Sequence, residues 1–358
     1  MNPRIDKLRN AFREQGADAF LTEHPVNRTY VSGFTGSTGS VLITADEAVF
    51  VTDFRYTDQA ADEAKGFKVV NNDRRNVPTL YEELKRMGVK KLAVEASHIS
   101  LASYETWRNA FDGIELVPTT GLIETLRTYK DEAELAIMRE AARIADEAYS
   151  HILTYIKPGM RELDVAMELE FFMRKQGATG AAFDIIVASG HRGALPHGRA
   201  SEKVIEKGDM VTLDFGAAYK GYNSDLTRTF AVGEPDPKMV EIYNIVLQAQ
   251  LNCVNNLKPG VNTKDADALT RDIITDAGYG AEYGHSTGHG LGVDVHELPN
   301  LSATAVPVTL EPGMVVTVEP GIYVSGLGGV RIEDDVVITE NGIEILTKST
   351  KELLILSV

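Results

Sequence analysis

A single cysteine, Cys253, stands in 358 residues. No disulfide can close within the chain, and a cysteine-built zinc site is excluded. A lone thiol of this kind reads as a buried, inert residue on a helix. Long apolar runs are also missing, and nothing approaches the roughly 20 residues that a membrane-spanning helix needs. The first residues, Met1 to Lys7, are charged from the start and lack the apolar centre of a secretory signal. Basic residues are in deficit: 36 Lys and Arg face 52 Asp and Glu, a net charge of −16. Such a surface repels nucleic acid and anionic membranes. These absences lead to the expectation of a cytoplasmic protein with neither nucleic acid nor membrane as a partner.

What is present is the balance of a globular protein, 43% hydrophobic and 25% charged, at a length that suggests two domains. The first part alternates helical and strand patterns. Helices are expected over Ile5–Gln15, Asp58–Lys65 and Val77–Met87, and strands around 19–21, 41–43, 49–51 and 91–95. This is a small α/β domain. The glycine- and hydroxyl-rich Gly33 to Gly39 lacks the spacing of a nucleotide-binding loop and reads as a turn between strands. A boundary is expected near Val117–Gly121, followed by a long amphipathic helix over Asp131–Ile156 with acids in its first turn.

The rest of the chain repeats itself. Lys157-Pro158-Gly159 ends one helix, and another follows over Arg161–Gln176. Lys258-Pro259-Gly260 does the same 101 residues later, before a helix over Thr263–Ala277. Lys207 to Asp214 matches Glu311 to Glu319, with Gly208 falling on Gly313 at an offset of 105. Two halves, each a helix pair and a strand hairpin, are expected around a pseudo-two-fold axis, with a site between them.

Chemistry gathers at equivalent places in the halves. A β-branched run leads to Asp214 in one and to Glu319 in the other. Each return strand carries a further acid, Asp225 or Glu333. Cross-strand neighbours share a face, so the acids of each hairpin are expected to converge. Four inward carboxylates repel one another, and a divalent metal is the economical remedy. Three histidines, His285, His289 and His296, fall within twelve residues. Gly284, Gly288, Gly290 and Gly292 argue against a helical zinc site there and for a strand or loop that brings backbone close to a ligand. A further histidine, His197, sits in a Leu-Pro-His-Gly stretch. An oxygen-rich set with an imidazole suits Mn²⁺, with Zn²⁺, Co²⁺ and Fe²⁺ open.

These motifs together resemble the pita-bread metallopeptidases, in the branch of Xaa-Pro dipeptidase (prolidase) and aminopeptidase P. They are Leu-Asp-Phe-Gly at 213–216, Gly-Tyr-Asn-Ser-Asp-Leu-Thr-Arg at 221–228, His-Ser-Thr-Gly-His-Gly-Leu-Gly at 285–292, Val-Glu-Pro-Gly at 318–321 and Arg-Ile-Glu-Asp at 331–334. The resemblance implies an α/β creatinase-like N-terminal domain over 1–125 and an α+β pita-bread catalytic domain over 126–358. It implies two divalent ions, with Asp225 and Glu333 bridging them, Asp214 completing one, and His289 with Glu319 completing the other. Glu319 would also handle the proton of the nucleophile. His285 and His296 would contact substrate, His197 would line the proline side, and Arg331 and Tyr323 would orient the carboxylates and reacting groups. The implied activity is hydrolysis of Xaa-Pro bonds in proline-containing peptides, with the dipeptidase favoured by the compact length and aminopeptidase P as the alternative. A homodimer is implied as well. Methionine aminopeptidase shares the five ligands but not this N-terminal domain, and creatinase shares the fold but not the ligands. A non-catalytic peptide-binding protein on the same fold is the alternative of another class.

Overall fold

The computed structural model describes residues 3–357; Met1, Asn2 and Val358, and so part of the signal-peptide reading, lie outside the described residues. The chain divides into two compact units, Met1–Leu126 and Arg127–Val358.

In the first unit the helices are α1 (Pro3–Glu14), α2 (Pro25–Ser32), α3 (Thr57–Glu63), α4 (Asn76–Arg86), α5 (Leu101–Ala110) and α6 (Leu122–Arg127). The strands are β1 (Ala19–Thr22), β2 (Ser40–Thr44), β3 (Ala48–Thr52), β4 (Lys68–Asn71), β5 (Lys91–Glu95) and β6 (Glu115–Thr119). They form one mixed sheet in the order β4-β3-β2-β1-β5-β6. The apolar residues of α1 recur at helical spacing, and Ile5, Leu8 and Phe12 are buried. Leu21, Leu42, Val49 and Val94 pack against Leu80, Leu84, Trp107 and Phe111. Two expectations are corrected here. Gly33–Gly39 joins helix α2 to strand β2 rather than strand to strand. Val117–Thr119, read as a boundary, belongs to the edge strand β6, where Pro118 is tolerated because one side of the strand needs no donor.

The second unit opens with α7 (Glu132–Tyr155). Asp131 accepts from the Glu134 backbone while Glu134 returns the bond, a capping box that fixes the start of the helix. Then come α8 (Glu162–Lys175), β7 (Gly180–Ala181), β8 (Ile186–Ser189), β9 (Met210–Phe215), β10 (Ala217–Tyr219), β11 (Tyr222–Asn223) and β12 (Leu226–Val232). The second half supplies α9 (Pro237–Asn256), α10 (Thr263–Asp276), β13 (Gly288–Gly290), β14 (Glu297–Leu301), β15 (Val315–Val318), β16 (Gly321–Val324), β17 (Gly328–Arg331), β18 (Asp334–Thr339) and β19 (Gly342–Ile345), and β20 (Ile355–Leu356) returns to pair with β12. Ile144, Ala148 and Ile152 of α7 and Leu169 and Met173 of α8 cover Leu213, Phe215 and Phe230 of the first sheet. Cys253 and Val254 of α9 and Ala266 of α10 cover Val316, Val318, Val336 and Ile338 of the second. The internal repeat is therefore physical: each helix pair buries the apolar face of its own sheet. Cys253 is buried on a helix, as the sequence suggested.

The repeat also refines where the acids stand. β9 pairs with β12 and β15 with β18, and in each case a small hairpin, β10–β11 or β16–β17, is inserted between the partners. Asp214 lies inside β9 opposite Thr227, not opposite Asp225, and Val318 is opposite Asp334. Asp225 and Glu333 each sit one residue before their return strand. The expected cross-strand pairing of the acids is thus replaced by a meeting at the strand ends, where the inserted hairpins open the sheets.

Candidate metal centre and active-site cleft

Both sheets send carboxylates into one cleft of about 530 Å³. Asp214, Asp225, His289, Glu319 and Glu333 all line it, with His197, His285, His296, Tyr323 and Arg331. Every site residue expected from the sequence is brought to this cleft. At its floor, one ligand atom each from Asp225, His289 and Glu333 lies within 4.8 Å of the others. His289 Nε2 is 3.3 Å from Glu319 Oε1 and 3.8 Å from Asp225 Oδ2.

His289 owes its place to two glycines. A Cβ on Gly288 would stand 1.9 Å from the Thr317 carbonyl oxygen, and one on Gly290 would stand 2.2 Å from that of Leu298. No side chain fits there, so β13 passes close between β14 and β15 and carries His289 to the floor. The backbone approach inferred from the glycines is real, but it is made to neighbouring strands.

The floor is under-neutralised. Among the described residues, Asp214 Oδ1, Asp225 Oδ1 and Glu333 Oε1 find no hydrogen-bond partner and are buried. Burial first, then the neighbouring Glu333 and Asp214, pushes the Asp225 carboxyl well above the ordinary range. Burial, then Glu319 and Asp214, does the same for Glu333, and burial raises Glu319. His289 Nδ1 is 3.1 Å from the Gly290 carbonyl, which can only accept, so Nδ1 carries the proton. Its Nε2 lone pair then faces carboxylate oxygens, an arrangement that a cation between them makes favourable. Orphaned carboxylate oxygens, a lone pair aimed among them and a mainly oxygen donor set fit divalent metal.

Other residues hold this set in place. Arg331, 3% exposed, donates to Asp214 Oδ2 at 2.5 Å, to the Tyr323 hydroxyl at 2.8 Å and to Thr227 Oγ1 at 3.2 Å. Thr227 donates to Glu333 Oε2 at 2.6 Å, and Asp335 accepts from the Asp225 backbone at 2.9 Å. The Tyr323 hydroxyl is 2.8 Å from His285 Nε2. Burial pushes that phenol up to about 12 and lowers the His285, His289 and His296 imidazoles. The His296 ring packs on His289 with centroids 4.3 Å apart.

Each outer histidine rides on a segment fastened by a buried acid, and these fasteners were missed in the sequence. Glu162, fully buried, accepts from Ser189 and Ser201, backbone and hydroxyl alike, and from Arg192, clamping the ends of the segment that holds His197. Asp267 accepts from the Thr287 backbone, and its partner Arg271 donates to the His285 carbonyl. Glu297, next to His296, is gripped by Arg127 and Lys130. A lone acid in a helix's first turn looks like an ordinary dipole partner, so Glu162 carried no distinguishing signal. Thr227 and Asp335 did lie within or beside the quoted motifs.

The chain matches the model of metallopeptidase family M24 over residues 136–340 and that of the creatinase/prolidase N-terminal domain over residues 4–129. It belongs to metallopeptidase family M24. The two-domain fold, a creatinase-type N-terminal domain and the family's catalytic domain, follows with it. Relatives match end to end. A solved Xaa-Pro dipeptidase from Bacillus anthracis is 55% identical, with a TM-score of 0.97 and 99% of each chain covered. The Xaa-Pro dipeptidase of Pyrococcus furiosus is 42% identical over 99% of this chain and 100% of its own. A solved X-Pro aminopeptidase from Thermotoga maritima is 39% identical, with a TM-score of 0.91, covering 97% of this chain and 99% of its own. Membership makes this chain a peptidase that works with divalent metal. Among the described residues no helix is long and apolar enough to cross a membrane.

Proposed function

We propose that this metallopeptidase is an Xaa-Pro dipeptidase, hydrolysing the bond between an N-terminal residue and a following proline. The observation that carries the reading is the floor of the cleft: orphaned Asp214, Asp225 and Glu333 oxygens around the His289 lone pair, in a chain similar over its whole length to Xaa-Pro dipeptidases. Asp214, Asp225, His289, Glu319 and Glu333 would hold two divalent ions, Asp225 and Glu333 serving both. The oxygen-rich donor set favours Mn²⁺ over Co²⁺, Zn²⁺ or Fe²⁺. When bound, such a pair supplies an acidified water and Lewis-acid polarisation of the scissile carbonyl.

The residues do the rest. Glu319 takes the proton of the nucleophile and passes it to the leaving nitrogen. That nitrogen belongs to a tertiary amide with no N–H, so it leaves well only if protonated. The Tyr323 hydroxyl, oriented by Arg331 and shared with His285, stands as a donor to the developing oxyanion. His296 contacts substrate beside His289, and His197 lines the proline side. Arg331 fixes Asp214 and Tyr323 together. The catalytic domain is assigned to 126–358 and the creatinase-like domain to 1–125. A homodimer in the cytoplasm completes the reading, the dimer on family resemblance and the compartment on the acidic charge and lack of a disulfide.

The similarity to the Thermotoga X-Pro aminopeptidase favours a second reading, action on longer peptides. Hydrolysis of an Xaa-Pro dipeptide and an Xaa-Pro-Xaa tripeptide, with Mn²⁺ and after chelation, separates the two. Metal-dependent cleavage of the dipeptide alone is expected. Preference for the tripeptide makes the chain an aminopeptidase, and cleavage of neither under any divalent ion removes the Xaa-Pro reading.

A further inference from the structure

A dipeptide ending in proline brings a carboxylate into the cleft, where a longer peptide brings a neutral amide. The cleft is poorly suited to that extra charge. Among the described residues its lining carries five carboxylates and only two permanent cations, Arg199 and Arg331. The polar groups Ser286 and Asn300 are neutral, and an imidazole is cationic only when protonated.

Arg331 has no fork to offer. It is buried, and its Nε and both terminal nitrogens already donate to Thr227, Tyr323 and Asp214. Arg199 is its opposite. Its side chain is 73% exposed and, among the described residues, pairs with Asp184, itself 69% exposed, at 3.0 Å. An exposed pair of this kind is weak and exchanges readily. The root of Arg199 is nevertheless fixed. Its backbone bridges Ile186, its N–H donates to the His197 carbonyl at 2.8 Å, and its carbonyl accepts from Arg192 at 2.8 Å. Arg192 is in turn held by the buried Glu162. An exposed, weakly paired guanidinium thus stands on a hydrogen-bonded base, two residues from the histidine assigned to the proline side. A guanidinium fork matches a carboxylate in two parallel hydrogen bonds.

We infer that Arg199 reads the free C-terminal carboxylate of the substrate, moving from Asp184 onto the proline carboxylate of an Xaa-Pro dipeptide. Asp184 holds the guanidinium at the mouth of the cleft and competes with the substrate for it. Arg199 is therefore the specificity-determining residue for dipeptides against longer peptides. The inference deepens the Xaa-Pro reading and rests on it.

The test compares the wild-type chain, Arg199→Ala and Arg199→Lys on an Xaa-Pro dipeptide and on its C-terminal amide, at one metal concentration. For Arg199→Ala, KM for the dipeptide should rise at least tenfold with kcat within about twofold, while the amide is unaffected. Arg199→Lys should recover part of the loss, and Asp184→Asn should lower KM for the dipeptide. The exposed position leaves folding intact, which circular dichroism melting checks. Calorimetric titration with L-proline and with prolinamide gives a second readout: Arg199→Ala should weaken binding of proline alone. Equal effects on acid and amide, or no effect on either, overturn the inference. If the wild-type chain cuts no Xaa-Pro peptide, the functional reading falls, and the proline titration still decides whether Arg199 is a carboxylate site.

Discussion

One hydroxyl, that of Tyr323, serves two neighbours. Arg331 donates to it at 2.8 Å, and His285 Nε2 lies 2.8 Å on its other side. His285 Nδ1 faces the Ser286 carbonyl at 2.8 Å, so the ring proton sits there; without substrate the single phenol O–H donates to Nε2, and it turns from Nε2 to the oxyanion as that charge develops. Burial keeps the phenol protonated far above neutral pH. Tyr323→Phe should therefore lower kcat about 100- to 1,000-fold, the range for one donor to a developing oxyanion, with KM nearly unchanged. A loss carried by KM alone would mean that the hydroxyl acts in substrate binding, not at the transition state. At this scale the sequence was most legible where chemistry forces a motif. The four acids, His289 and Arg331 stand in short, ordered signatures because each must present a particular atom. Glu162 and Asp267 stood in no such signature. Their role depends on which segments happen to pack over them, and only the three-dimensional arrangement supplies that.

Helices and long strands were readable because burial imposes a period. Ile5, Leu8 and Phe12 repeat at helical spacing, and Pro-Gly pairs stop helices at 157–159 and 258–260. The three-residue β13 was readable only as a strand or a loop, without its bounds or its neighbours. Two of its residues are glycine, and its place is set by the close approach of Thr317 and Leu298 rather than by any alternation. The inserted hairpins were also hidden, since two- to four-residue strands carry too little pattern. The segment 189–201 shows what element-scale fastening does. Its ends converge on Glu162, which pairs with Arg192 while its own side chain is fully buried. Removing one partner of a buried pair leaves the other uncompensated, at a cost of about 3–5 kcal/mol when both are buried. Arg192 is 19% exposed, so Glu162→Gln should cost less, about 2–3 kcal/mol in urea unfolding. The same variant should raise KM several-fold through the loosened His197. A variant as stable as the wild-type chain would show that the segment is held elsewhere.

For the whole molecule the decisive quantity is the uncompensated charge on the floor of the cleft, because metal and protons compete to remove it. Burial raises the carboxyls of Asp225, Glu333 and Asp335 well above their ordinary values, with neighbouring acids adding to the effect. Unfolded, these groups titrate near pH 4. The folded, metal-free protein thus binds more protons than the unfolded chain between that pH and the raised folded values. Their contribution is fully present below about pH 4 and is lost as pH rises through the folded pKa values. Every tenfold gain in proton affinity on folding corresponds to about 1.4 kcal/mol. Divalent metal reverses the sense, since it binds the deprotonated set and the folded state alone. At a hundred times its dissociation constant, one ion adds about 2.7 kcal/mol. Chelated protein should therefore melt at progressively lower temperature from about pH 5 to 8. Mn²⁺ should raise the melting temperature most at the upper end of that range. Asp225→Asn removes one of the repelling charges, so it should flatten the pH dependence of the metal-free protein and shrink its response to Mn²⁺. Scanning calorimetry across pH, with and without the ion, reads all three. A metal-free protein whose melting temperature rises steadily over that range would mean that the buried carboxylates are neutralised by something other than protons or metal.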